Sequence, residues 1–127
     1  MIKVAVVILN WNGKEHLNNF LPLVIKYSGN PYTEIYVADN YSSDDSISLL
    51  RKKYPQVKLI QFDRNYGFAQ GYSKALGQIN SEYFVLLNSD VMVTSNWLSS
   101  IELMDNDNST VACMPKIKSY ANKEYFE

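Results

Sequence analysis

Cysteine and histidine are almost missing from this chain: Cys113 and His16 are the sole examples in 127 residues. One cysteine closes no internal disulfide, and one residue of each kind builds no Cys/His zinc cage, so a reducing, cytoplasmic setting is expected. Long apolar runs are lacking too. The stretch 4–9 (Val-Ala-Val-Val-Ile-Leu) is far too short to cross a bilayer, and no charged lead or small-residue cleavage site surrounds it as a signal peptide needs. Neither sign of charge dominates, with 12 Lys and Arg against 13 Asp and Glu. The one dense basic run is Arg51, Lys52, Lys53, so a nucleic-acid grip on a basic face is disfavoured. The five glycines form neither G-x-G-x-x-G nor G-x-x-x-x-G-K-[ST], which argues against dinucleotide and Walker-type phosphate loops.

What is present is the balance of one soluble globular domain, 46% hydrophobic and 20% charged. Residues 3–9 are a nearly continuous β-branched run, the pattern of a strand buried on both faces of a parallel sheet. A helical pattern follows with Leu17, Phe20, Leu21 and Val24 on one side and His16 on the solvated side; Pro22 is expected to kink or restart it. Residues 34–38 read as a second strand. Ser43, Asp44 and Asp45 open a helix carrying Ile47, Leu50 and Tyr54, which Pro55 ends. Residues 57–62 form a third strand, and a third helix presents Phe68, Tyr72, Ala75, Leu76 and Ile79. Residues 83–87 are a fourth strand, Ser95 caps a fourth helix with Trp97, Leu98, Ile101 and Met104, and residues 110–114 are a last short strand that places Cys113 in the core. Residues 116–127 have no cap or tail character, so the chain reads as the first part of a longer protein.

Strands alternating with helices predict an α/β fold, three layers with a mostly parallel sheet between helices. Such sheets bind ligands beyond the carboxyl ends of their strands. That rule selects four polar loops: Asn10-Trp11-Asn12-Gly13, Asp39-Asn40-Tyr41-Ser42-Ser43-Asp44, Asp63-Arg64-Asn65-Tyr66-Gly67 and Asn88-Ser89-Asp90. With no glycine-rich helix start, a phosphorylated ligand needs another source of positive charge. A divalent cation on a strand-end carboxylate supplies it, and Asp90 is the candidate. Asp90 and Asp39 are equally the residue types that end strands and shape turns, and from spacing alone both readings stand. Rings at Tyr41 and Tyr66 could stack on a base.

Four segments on these loops carry a resemblance. Val-Val-Ile-Leu-Asn-Trp-Asn-Gly (6–13), Val-Ala-Asp-Asn-Tyr-Ser-Ser-Asp (37–44), Asn-Tyr-Gly-Phe-Ala-Gln-Gly (65–71) and Leu-Leu-Asn-Ser-Asp (86–90) resemble, in order, motifs of the family 2 glycosyltransferases. These are inverting enzymes of GT-A fold, and the likeness is to the nucleotide-sugar-binding amino-terminal half of their rhamnosyltransferase-like branch, over residues 4–116. The resemblance implies that Asn10, Trp11, Asn12, Asp39 and Asn40 hold the nucleoside, with Asp39 meeting the base. It implies that Arg64, Asn65, Gly67, Asn88 and Ser89 shape the rest of the donor pocket, and that Asp90 coordinates Mg2+ or Mn2+ on the donor diphosphate. Asn88 stands where the D-x-D motif has its first acid, and Ser73 where the third motif usually has Asn.

The implied activity is transfer of a sugar, with inversion, from a UDP, dTDP or GDP donor to a saccharide or lipid-linked saccharide acceptor in bacterial surface polysaccharide synthesis. The implied location is cytoplasmic, at the inner face of the membrane for a longer protein, with any membrane contact outside this stretch. The catalytic base is expected beyond residue 127; Asp105 and Asp107 match no motif. Two alternatives stay open: a donor- and metal-binding module without turnover, and a sugar-phosphate nucleotidyltransferase, which would want a glycine-rich basic loop after the first strand. A receiver domain fails, since Leu9-Asn10-Trp11-Asn12 lacks the adjacent acids it needs.

Overall fold

A computed structural model describes residues 3–125, so of the 116–127 stretch Phe126 and Glu127 lie outside the described residues. The elements are β1 (Val4–Asn10), α1 (Lys14–Tyr27), β2 (Thr33–Asp39), α2 (Ser46–Lys53), β3 (Lys58–Gln61), α3 (Gly67–Leu76), β4 (Tyr83–Asn88) and α4 (Ser99–Asp105). Two compact units contain them, one ending at Val93 and one beginning at Thr94.

The first unit is a four-stranded sheet in the order β3-β2-β1-β4, with every pairing parallel. β1 is central, and its β-branched run is buried almost throughout, as a strand covered on both faces requires. Alternate β1 side chains serve opposite layers. Ala5, Val7 and Leu9 pack with Ala38 against Tyr72 and Ala75 of α3 and against Ile79 just beyond it. Val4, Val6 and Ile8 face the other way, the side that right-handed crossovers assign to α1 and α2. Those two helices touch each other, and they bury Leu17, Leu21, Val24 and Leu50. Each such side chain contributes about 1.5–3 kcal/mol, so β1 and its two layers dominate the stability of this unit.

Several expectations are corrected. α1 runs unbroken through Pro22. The ring removes one amide and frees the Asn18 carbonyl, but both residues lie on the exposed side, where water can take the bond. α3 ends at Leu76, earlier than its apolar spacing indicates, and Phe68 is exposed at its first turn instead of joining the core face. In the second unit α4 starts at Ser99 with Leu98 at its N-cap, so Ser95 caps nothing there. Residues 110–114 pair with no strand among the described residues, and Val111 and Met114 are open to solvent. Without a ladder to draw it inward, Cys113 is exposed and contacts the Met104 sulfur at 3.2 Å.

Candidate functional site at the strand carboxyl ends

Sheet order decides where a ligand can sit. The chain winds from β1 outward to β2 and β3, then returns to place β4 on the opposite side of β1. In sheets of this kind such a reversal marks where ligands bind, here beyond the carboxyl ends of β1 and β4. Asn10, Asp39 and Asn88, expected in loops, are the last residues of their strands, with Asn10 in register with Asp39 and Leu9 with Asn88. The parallel ladder therefore carries these polar residues, and their positions are held by the sheet itself.

Three asparagines tie the first three loops into one unit. Asn10 is fully buried, and its Nδ2 donates to Asp39 Oδ1 at 3.0 Å and to Ser42 Oγ at 3.2 Å. The Ser42 amide donates to Asp39 Oδ2 at 2.9 Å, so both oxygens of a carboxylate only 1% exposed are aimed by the protein. The Asn12 amide donates to Ser42 Oγ at 2.9 Å, while Asn12 Oδ1 accepts from the Ser43 amide (2.8 Å), the Ser43 hydroxyl (3.3 Å) and the Asp44 amide (3.3 Å). Asn40 spans the next gap: its Nδ2 donates to the Gly67 carbonyl at 3.0 Å and its Oδ1 accepts the Tyr66 amide at 2.8 Å. Buried polar groups need such partners, because leaving one unsatisfied costs about 1–3 kcal/mol.

Gly13 lets the first loop close. A Cβ there would lie 2.3 Å from Asn10 Oδ1 and 3.3 Å from Ser89 Oγ, so a bare backbone is what brings the β1 loop up to the β4 loop. Asn10 Oδ1 itself has no hydrogen-bond donor among the described residues. Asp44 joins the same corner from the other side: its Oδ2 accepts the Lys14 amide at 3.0 Å and its Oδ1 the Ser46 amide at 2.9 Å, one carboxylate serving the first turns of α1 and α2. Burial pushes the Asp44 carboxyl up, but hydrogen bonds from Ser46 and the Lys14 amide, with the Lys14 charge nearby, outweigh it and hold the group below the usual carboxylate range.

The third loop is organised by Tyr66. Its hydroxyl donates to Asp63 Oδ1 at 2.6 Å, which lowers the Asp63 carboxyl, and its ring carries the Arg64 guanidinium at 4.8 Å and the Lys74 ammonium at 4.5 Å. Asn65 Oδ1 accepts the Gly67 amide at 2.8 Å, and Gly67 has φ +73°, a left-handed conformation that favours glycine. At the end of β4, Asn88 and Asp90 are exposed and Ser89 is half-buried.

A metal fits this corner on the chemistry of its donors. Asp90, with the amide of Asn88 and the hydroxyl of Ser89, offers hard oxygen atoms open to solvent, and Mg2+ or Mn2+ commonly takes one or two carboxylates with phosphate and water completing its shell. Among the described residues no group of three or more His, Cys, Asp or Glu side chains stands ready to hold an ion alone. An ion held there would need further ligands, from water or from a bound anion.

Asp44, read from the sequence as opening the second helix, does meet the first amide of α2, and it meets that of α1 as well. Sequence reasoning missed Ser42, Tyr66 and Lys74 as organisers of the loops; the signal for Ser42 was the spacing Asp39-x-x-Ser42, which suits an Asx-type turn. Lys74 had none, since only the α3 helix brings it back over Tyr66. Asp107 is a poor general base: hydrogen bonds from Ser109 and Thr110 hold its carboxyl down to about 2.

The profile of glycosyl transferase family 2 matches residues 5–126. An uncharacterized glycosyltransferase of Bacillus subtilis (strain 168), YfnE, is 28% identical over 115 residues, which are 88% of this chain and 29% of that protein. The chain thus spans about three-tenths of that relative's length. The mannosyltransferase PcManGT from Pyrobaculum calidifontis, solved with GDP-Man and Mn2+, superposes with a TM-score of 0.77 at 18% identity, over 97% of this chain and 37% of that one. TarS 1-349 of S. aureus, solved with UDP-GlcNAc, superposes with a TM-score of 0.72 at 19% identity, over 93% and 39%. The structural likeness shows a GT-A type α/β fold, and the profile match over nearly the whole length shows the family: this chain belongs to glycosyl transferase family 2.

Proposed function

We propose that this chain binds a nucleoside diphosphate sugar beyond the carboxyl ends of β1 and β4, as the donor half of an inverting glycosyltransferase that transfers the sugar to a saccharide or lipid-linked saccharide hydroxyl. The observation that carries this reading is the stapled set of loops at the switch point, with Asp39 aimed from two sides and Asp90 open at the end of β4. Solved proteins of the same fold hold GDP-Man with Mn2+ and UDP-GlcNAc, which supports a nucleotide-sugar ligand here.

In this reading the Trp11 ring stacks on the base, and a remaining lone pair of Asp39 accepts a base N–H. Asn10, Asn12 and Asn40 act as positioning residues that keep Asp39 and the loop backbones in place. Arg64, held over the Tyr66 ring, adds positive charge on the diphosphate side, with Asn65 and Gly67 setting that loop's course and Asn88 and Ser89 meeting the sugar or phosphate. Asp90 holds the divalent ion, which when bound stabilises the charge growing on the departing diphosphate by several kcal/mol. The setting proposed is bacterial surface polysaccharide synthesis at the cytoplasmic face of the membrane. No helix among the described residues is long and apolar enough to cross a bilayer.

Calorimetric titration of the chain with UDP, dTDP and GDP, each with and without Mn2+, tests the donor site. One nucleotide should bind only with metal, and Asp90→Ala should lose that metal-dependent binding. Equal binding by Asp90→Ala would remove the metal assignment, and no binding of any nucleotide would remove the donor reading.

A further inference from the structure

Tyr41 stands out among the residues that the donor site does not yet use. It is one of three non-glycine residues with a left-handed backbone among the described ones, at φ 67°; the others, Asn12 and Asn96, are of the type that tolerates this region. A tyrosine there carries steric strain without the short polar side chain that relieves it. The strain is not repaid by packing either, because the ring is 61% exposed.

The conformation is imposed from both sides. Asn40 is locked to Tyr66 and Gly67, and Ser42 is locked to Asp39, Asn10 and Asn12, so the intervening residue has no freedom to choose an extended backbone. Any residue at 41 would be held this way, and glycine would sit there at least steric cost. A large ring is thus presented to solvent from a rigid, strained mount. It is also presented at a particular place. Trp11, 60% exposed, precedes Asn12, and Tyr41 precedes Ser42, while Asn12 and Ser42 are joined by a 2.9 Å hydrogen bond. The junction of the first two loops therefore bears two exposed aromatic residues, one from each loop. Strained, exposed residues concentrate where binding uses them, and a nucleoside has faces that such rings hold.

We propose that Tyr41 is a second aromatic contact of the nucleoside site, one whose ring sets the affinity for the donor's nucleoside moiety. The proposal rests on the donor-site reading and assigns it a residue that the motif pattern leaves open. Its mark is a separation of stability from binding. Tyr41→Gly relieves the left-handed strain, so it should melt at or above the wild-type temperature. Its affinity for the nucleotide that the wild-type chain binds with Mn2+ should fall about tenfold, the loss of a stacking ring. Tyr41→Phe keeps the ring and should bind within twofold of wild type.

Three results would overturn the proposal while the donor reading stands: Tyr41→Gly binding like wild type; Tyr41→Gly both melting lower and binding weakly, the behaviour of a merely structural residue; and Tyr41→Phe losing affinity as Tyr41→Gly does, which would point to the hydroxyl. Wild-type chain binding none of UDP, dTDP or GDP would instead overturn the donor reading and this proposal with it.

Discussion

Asn40 shows how much a single side chain does in this corner. It is buried, donates one hydrogen bond to the Gly67 carbonyl and accepts another from the Tyr66 amide, so it is the tie between the β2 end and the third loop. Asn40→Ala leaves those partners unsatisfied in a partly buried place and should cost about 1–3 kcal/mol, read as a shift of the urea midpoint. Asn40→Asp keeps the acceptor for Tyr66 but faces the Gly67 carbonyl with a second acceptor, so it should recover little of the loss. Recovery to wild-type stability by Asn40→Asp would show that the Gly67 bond contributes nothing. Tyr72 offers a milder case: its buried hydroxyl donates to the Leu87 carbonyl at 3.0 Å, tying α3 to β4, and Tyr72→Phe should cost about 1 kcal/mol by the same measurement. The motif spelling shows asparagines at these loops, yet it carries no sign that they bind the loops to each other before they bind anything else.

At the scale of elements, Asp44 is the shared cap of two helices. Its carboxylate meets the first amides of α1 and α2, and its folded-state pKa is lowered. Stability from a depressed carboxyl is fully present above the unfolded value, 3.8 for this group, and is lost as pH falls through the lower folded value. Asp44→Ala should therefore destabilise the chain by about 1–2 kcal/mol at neutral pH, and the difference from wild type should shrink as thermal melts are repeated below pH 4. A gap that stays constant down to pH 2 would place the effect in packing instead. Strand elements were legible because apolar periodicity is a local property: β1, β2, β3 and β4 all occur where their residue patterns indicate. Their ends were less so. The ladder adds Asn10, Asp39 and Asn88 to strands whose apolar runs stop one residue short, since hydrogen bonding to a neighbouring strand depends on register and is indifferent to side-chain polarity.

Among the described residues, one unit ends at Val93 and holds the four strands, three of the helices and the four strand-end loops, and a second unit begins at Thr94. A chain ending after Val93 should unfold cooperatively in urea and bind the same nucleotide, with metal, as the full chain does. Loss of the cooperative transition would mean that the sheet draws stability from the later residues. Phe84 and Leu86 on β4 are exposed whereas Leu21 is buried, so Leu86→Ser should alter the urea midpoint far less than Leu21→Ala, for which about 2–5 kcal/mol is expected.

Local chemistry alone determined the alternation of strands and helices, the parallel sheet that follows from it, and the four polar loops where a ligand belongs. These depend on residues adjacent in the chain, whose periodicity and turn preferences act before any tertiary contact forms. Only the tertiary structure decided which side chains are free. Asn10, Asn12 and Asn40 are engaged with residues 26 to 32 positions away, Tyr41 is forced into a left-handed backbone by its pinned neighbours, and residues 110–114 find no strand to join among the described residues. A hydrogen bond across that separation exists because the sheet brings the strand ends together, and no pattern within one loop can report it.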